Sequence, residues 1–380
     1  MEKFSAYRDP GTGIQPFLTP VPPTGSASLA KLIFVIGLVV ASIRTGLVLI
    51  LLVSYVLLVK VVCLLLIPIT PIHRAVSHGM TAIIGRMTLF VLGFYQISVE
   101  HVARKRGYRY PGGEKWNPQA GDLIISNWVS WIELLWLAIK FDPVFVLPIA
   151  DPLFDITAAQ PAHITSAPGR RTGTGSANIQ SSQARTVIPR QSIKGFCQVS
   201  LLTLIGLTGE VPTAFATHFG SAKFLPLDEI RKKASRPVVV FPECTTSNGR
   251  GLLRFSNVFN QTIPTRHGVF IMCVRYDPPT ALVPSLSHSV PSASLNPLYH
   301  FWSIASSLSP LTISIRLLDK ADSPSSPLFI ASEVLSGRPD EDQLSEASAV
   351  LISQIGRLKR VGMGWEDKYS FLDFFRHKRT

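Results

Sequence analysis

Cysteine and acidic residues are both scarce in this chain. Its 380 residues include four cysteines, Cys63, Cys197, Cys244 and Cys273, far apart and with no CxxC pair. That spacing excludes a disulfide scaffold and a zinc ribbon, and it points to a reducing compartment. Charged residues make up 16% of the chain, well below the roughly 25% of an average soluble protein. Within that small set, 37 Lys and Arg outnumber 24 Asp and Glu, for a formal charge of +13. With 46% hydrophobic residues, disorder of the whole chain is excluded. A basic balance in so apolar a chain favours an anionic membrane surface over nucleic acid, for which no recognised module is present. The polar, turn-rich residues 1–28 lack the basic start, short apolar core and small-residue cleavage site of a secretory signal.

Long apolar runs, by contrast, are present. Residues 29–69 are interrupted by charge only at Lys31, Arg44 and Lys60, and 45–67 carries Lys60 alone. That run meets the roughly 20-residue requirement for crossing a bilayer. It predicts a membrane anchor over 29–70. Either one helix follows an interfacial segment, or a hairpin turns near Arg44 and Gly46, and hydropathy leaves both open. A second stretch, 80–99, contains Gly85, Arg86 and Gly93. It reads as an amphipathic helix lying on the bilayer or on the domain that follows. The basic cluster Arg104, Lys105, Arg106 and Arg109 then offers either a contact for anionic headgroups or a solvated loop.

From residue 71 to 330 the pattern is that of an α/β domain. Short apolar runs at 122–126, 144–149, 237–241 and 269–274 read as buried strands, and 131–140 and 199–207 read as helices. This alternation predicts a mixed, largely parallel sheet with flanking helices. Residues 156–194, rich in Ser, Thr, Gly and Gln, read as a flexible insert. In the C-terminal part, 331–380, a helix is expected over 341–359. It is followed by a basic-aromatic tail over 365–379 that either docks at an interface or packs on the domain.

The most specific string is FPECTTSNGRGLLRF, residues 241–255. It follows a strand-like run, so its polar residues emerge at the strand's carboxyl end, where α/β folds place their ligands. Glu243 supplies a carboxylate, and Cys244, Thr245, Thr246, Ser247 and Asn248 follow it. Gly249 allows close backbone approach, and Arg250 is suited to gripping a phosphate. Upstream, residues 126–133 read SNWVSWIE, the end of one strand and the start of a helix.

These two strings resemble motifs of the glycerophospholipid acyltransferases. The first resembles their FPEGT motif, with Cys244 in place of Gly. The second resembles Asn-His-x-Ser-x-x-Asp, with Asn127, Ser130 and Glu133 in place and Trp128 where the family has its catalytic His. Residues 206–215, the counterpart of the second family motif, carry no phosphate-binding Arg, for which Arg250, Lys223 and Arg275 are candidate substitutes. The run 269–276 is similar to the strand near the fourth motif. The opening residues, MEKFSAYRDPGTGIQPFL, are similar to those of the fungal lysophosphatidic acid:oleoyl-CoA acyltransferase branch.

The resemblance implies an acyl-CoA-dependent lysophospholipid acyltransferase that moves an acyl chain, oleoyl in that branch, to lysophosphatidic acid. No metal and no bound cofactor is implied, acyl-CoA being a co-substrate, and the partners are membrane lipids, lysophospholipid and acyl-CoA. The implied location is the endoplasmic reticulum membrane with the domain facing the cytosol, and a hairpin anchor extends this to lipid droplets. Indole is not basic, so Trp128 cannot take the proton. Glu133 is then a candidate base, its pKa raised by burial beside Trp128 and Trp131. Equally, Ser130 and Glu133 fit an S-x-x-E capping box. His218, His267 and Cys244 are lesser candidates for chemistry. The competing reading is a catalytically silent lipid-binding scaffold, favoured by the loss of both the His and the Arg.

Overall fold

In a computed structural model of the chain, residues 4–23, 27–66, 68–104, 116–150, 190–219, 224–260, 263, 265, 267–335 and 342–377 are described. Two long helices come first, α1 (Ala27–Tyr55) and α2 (Thr70–Leu92), joined through a π-helical turn (Val56–Val61) and a 3-10 turn (Val62–Leu66). The turn expected at Arg44 and Gly46 is absent, because α1 runs through both residues without a break. The Arg44 guanidinium instead donates to the carbonyls of Ala305 and Ser307, at 3.1 and 2.8 Å. A charge inside an apolar helix is thus neutralised by carbonyls left over at the end of another helix. Arg86 does the same in α2, donating to Phe94 O and Tyr95 O. The second apolar stretch is therefore helical over its first part only, ending at Gly93 in the left-handed conformation. It packs on α1 and on α3 (Ile132–Phe141).

The remaining strands are β1 (Ser98–Val102), β2 (Leu123–Ser126), β3 (Val144–Ala150), β4 (Ile193–Val199), β5 (Val238–Val240), β6 (Gly251–Leu252), β7 (Val269–Arg275), β8 (Ser314–Leu318) and β9 (Lys359–Arg360). Among the described residues, seven of them form one sheet in the order β1-β8-β7-β2-β5-β3-β4, while β6 and β9 pair separately. Neighbours are parallel except at β7–β8 and β3–β4, which gives the expected mixed, largely parallel sheet. Helices α3, α4 (Leu201–Gly206), α5 (Pro212–Phe219), α6 (Leu227–Lys233), α7 (Leu298–Ala305), α8 (Gln343–Gly356) and α9 (Trp365–His377) surround it. The four strands and two helices expected from the sequence are present, and each of the four strands is a continuous apolar run buried on both sides. β1, β4 and β8 went unread because they alternate or carry charge. β1 is an exposed edge strand, SVEHV, and β4 is partly exposed.

Most of the flexible insert expected at 156–194 lies outside the described residues, although its last two residues open β4. Lys105, Arg106 and Arg109 also lie outside, and Arg104 is engaged with Glu333 and Asp322. The tail packs on the domain. Trp365, Lys368 and Phe371 of α9 are fully buried. On them lies a strap formed by residues 4–19. Tyr7 donates to Ser370 O, Gly362 N donates to Asp9, and the Phe17 ring lies 5.6 Å from that of Phe371.

Candidate active site

β2 and β5 are parallel neighbours, with Ile125 opposite Val240, so the chain leaves both at the same edge of the sheet. This brings the two motif strings together. Asn127 closes β2 by continuing the ladder with its side chain: its Nδ2 donates to Val274 O at 2.9 Å and its Oδ1 accepts from Val274 N at 2.8 Å. The backbone of 128–130 is then released from the sheet and crosses two carboxylates. Trp128 N donates to Glu243 Oε2 at 2.7 Å, and Val129 N and Ser130 N both donate to Glu133 Oε1 at 2.6 Å. Glu243 Oε1 accepts from Leu253 N at 2.8 Å, and Glu133 Oε2 accepts from the Tyr276 hydroxyl. Every oxygen of both carboxylates therefore accepts a hydrogen bond, and one oxygen of each holds the 128–130 backbone.

Both acids are fully buried. Burial raises Glu133 to about 7 against its hydrogen bonds from Tyr276 and the backbone, and it raises Glu243 to about 8. Only half of the expected capping box forms. Glu133 accepts from Ser130 N, but the N-cap position falls on Trp131, and no side chain caps it. Trp128 is a wholly buried ring, stacked on Phe241 at 5.0 Å, with its indole N–H donating to Ser130 O.

The 243–248 loop is buried from Glu243 to Asn248, and Arg250 is exposed. Cys244 has φ 57°, the left-handed region that favours glycine. The loop thus keeps a glycine-like backbone even though the residue is cysteine. The Cys244 thiol is fully buried, and its pKa is pushed up by burial, which removes it as a nucleophile. Thr246 Oγ1 donates to His288 O and Thr245 Oγ1 to Glu210 O. Asn248 holds the strap, its backbone N donating to Pro16 O at 2.8 Å and its Nδ2 to Gln15 O and Leu18 O at 2.7 and 2.8 Å. Behind the loop, Lys368 Nζ donates to Thr245 Oγ1, Thr246 O and Thr246 Oγ1, and burial lowers its pKa to about 7.

Among the histidines named from the sequence, His267 precedes β7 beside Asp122, at the other end of the strands from Asn127. His218 is exposed on α5. The histidines that do reach the site are His288 and His300, with Asn296 between them in sequence. His288 N donates to Val129 O at 2.9 Å, and Trp131 Nε1 donates to His300 Nδ1 at 3.0 Å. Neither stands in a motif. Lys368 did carry a signal, being a lysine in step with Trp365 and Phe371 on one helix face.

Two cavities flank the segment 205–211. The first, about 390 Å³, is apolar and lies between α1, α2, α3, α4 and residues 295–301, with Trp131 and Asn296 on its wall. The second, about 550 Å³, lies between α5 and α9 and is lined in part by Glu210, Thr213, His218 and Arg376. Arg376 donates to both oxygens of Glu210. Gly209 makes this segment possible: at φ 97° it passes so close to Pro291 that a Cβ would lie 2.9 Å from the proline nitrogen. Among the described residues, no group of three or more His, Cys, Asp or Glu is placed to hold a metal ion. Lys223 lies outside the described residues, and Arg275 is half-buried at the end of β7.

No protein-family model matches this chain, and no solved structure matches it. It is 26% identical over 376 residues, 98% of either chain, to a protein of Schizosaccharomyces pombe named "Putative lysophosphatidic acid:oleoyl-CoA acyltransferase".

Proposed function

We propose that this protein is a membrane-associated lysophospholipid acyltransferase, passing an acyl chain, oleoyl by preference, from acyl-CoA to lysophosphatidic acid. The observation that carries this reading is the meeting of the Asn127–Glu133 and Glu243–Asn248 loops beside an apolar cavity. The cavity suits an acyl chain, being lined almost wholly by apolar side chains from α1 to α4. The second cavity is a candidate for the acceptor's headgroup, where Arg376 would have to leave the Glu210 oxygens it now binds to meet a phosphate. Acyl transfer from a thioester requires neither metal nor resident cofactor in this reading.

Glu133 and Glu243 act as struts that hold the loop geometry, since each oxygen already accepts a hydrogen bond. Asn127, Trp128, Ser130, Cys244, Thr245, Thr246 and Ser247 shape the same surface. Helices α1 and α2, apolar enough to cross a bilayer over Ile33–Val59 and Pro71–Leu92, anchor the domain on the cytosolic face of the endoplasmic reticulum. Both ends of this pair stay with the domain, an arrangement also compatible with a lipid-droplet monolayer.

The test is transfer of labelled oleoyl-CoA to lysophosphatidic acid by purified full-length protein. Wild type is expected to form phosphatidic acid, and Glu243→Ala, which frees Trp128 N and Leu253 N, to lose about 100-fold or more in kcat. One observation favours a second reading. The buried Trp128 ring fills the place of the family's base, as a protein that only binds lipid would permit. Folded wild type that transfers to no lysolipid, yet binds vesicles containing phosphatidic acid, would establish that scaffold.

A further inference from the structure

The acceptor hydroxyl must lose a proton as it attacks the thioester, and the groups named so far do not take it. Trp128 is not basic. Both oxygens of Glu133 and both of Glu243 already accept hydrogen bonds inside the protein. His288 is differently placed. Its backbone is pinned to both motif loops, N–H donating to Val129 O and carbonyl accepting from Thr246 Oγ1. Its ring reaches to Asn296, which lies on the wall of the apolar cavity.

Asn296 settles which ring nitrogen carries hydrogen. Its Nδ2 donates to Gly206 O at 2.9 Å and Thr208 O at 2.7 Å, so its Oδ1 is the atom that faces the imidazole. His288 Nε2 lies 2.7 Å from that Oδ1 and must donate to it. The lone pair is then left on Nδ1. A second imidazole, His300, lies 4.6 Å away, ring centre to ring centre. It accepts from Trp131 and donates to Ser285 O, so it too is neutral and fixed.

We infer that His288 is the proton acceptor of the transfer, oriented by Asn296 as an amide orients the histidine of a thiol protease. The inference rests on the acyltransferase reading above. In the step, the acceptor oxygen attacks the thioester carbonyl carbon, and its proton passes to His288 Nδ1. The C–S bond then breaks as the ester C–O bond is completed, and the leaving thiolate takes the proton from the imidazolium as free CoA. Burial keeps the ring neutral at pH 7, lowering its pKa to about 4, so the base form is present before substrate binds. The function lost at position 128 is thereby supplied from another part of the chain.

The experiment compares wild type, His288→Gln, His288→Ala and Asn296→Ala for phosphatidic acid formation at saturating oleoyl-CoA. Melting temperature and oleoyl-CoA binding are read for each. His288→Gln is expected to lose about 100- to 10,000-fold in kcat with binding retained. Asn296→Ala is expected to fall between His288→Gln and wild type. Added imidazole is expected to restore part of the activity of folded His288→Ala and none to Asn296→Ala, a rescue that a purely structural histidine would not give. A His288→Gln enzyme within threefold of wild type, or folded His288→Ala without rescue, overturns the assignment while leaving the acyltransferase intact. Wild type that forms no ester with any lysolipid removes the reading itself, and this inference with it.

Discussion

Glu133→Gln and Glu243→Gln are chemically the same change, and the structure gives them opposite outcomes. A glutamine at 133 can keep one oxygen on Val129 N and Ser130 N and turn its amide nitrogen to the Tyr276 hydroxyl, so every group stays paired. At 243 both carboxylate oxygens face backbone N–H groups, and an amide nitrogen would oppose one of them. We expect Glu133→Gln to melt close to wild type and Glu243→Gln to lose about 1–3 kcal/mol, measured by denaturant unfolding. The same burial predicts a pH dependence. Because the folded pKa values are raised to about 7 and 8, the stability these acids contribute is fully present below about 4.5 and is lost as pH rises through 7 to 8. For Glu133 that loss is on the order of 3 kcal/mol. The buried Lys368 acts in the other direction, since its lowered pKa makes stability recover as pH rises above about 7. Melting temperature should fall between pH 5 and 7, and Glu133→Gln should flatten that fall.

The strap of residues 4–19 and helix α9 meet across the motif loop, although they come from opposite ends of the chain. Asn248 binds the strap at Gln15 and Leu18, and Lys368 binds the loop from behind at Thr245 and Thr246. Asn248→Ala should release the strap without unfolding the sheet. The expected readout is faster cleavage within the first 20 residues on limited proteolysis, with transfer reduced about tenfold. An unchanged cleavage pattern would show that the aromatic contacts of Phe4, Tyr7 and Phe17 and the strap's other hydrogen bonds hold it without the Asn248 side chain. This element was read from the sequence only as a polar segment. Its aromatic residues lack helical or strand spacing, so nothing local indicates that they dock on α9.

Because the strap docks on the domain, the chain enters α1 and leaves α2 on the same side of any membrane. The hairpin is therefore built from α1 and α2, with its bend between Tyr55 and Thr70. Around that bend, Leu57, Val61, Val62, Leu65 and Ile69 are exposed, while Arg44 and Arg86 stay paired against the domain. In the membrane orientation proposed above, glycosylation acceptors placed at the N-terminus and after residue 377 should both remain unmodified. Modification of one alone would require a single crossing and would defeat this arrangement.

The core strands, helix α3 and the two motif loops were legible because each is local. A short apolar run marks a buried strand wherever it lies, and a polar string after it marks the strand's working end. Apolar length likewise marked α1, and the FPECTTS and SNWVSWIE strings marked the acyltransferase resemblance. Only the fold could decide where the hairpin turns, since carbonyls of residues 305 and 307 are what make Arg44 tolerable inside a helix. Only the fold could place His288, Asn296 and Lys368 at the loop. Hydrogen-bond partners tens of residues or more apart leave no periodic trace in a single sequence, and a lone histidine looks the same whether solvated or buried. The proton acceptor proposed above, His288, lies in that second category.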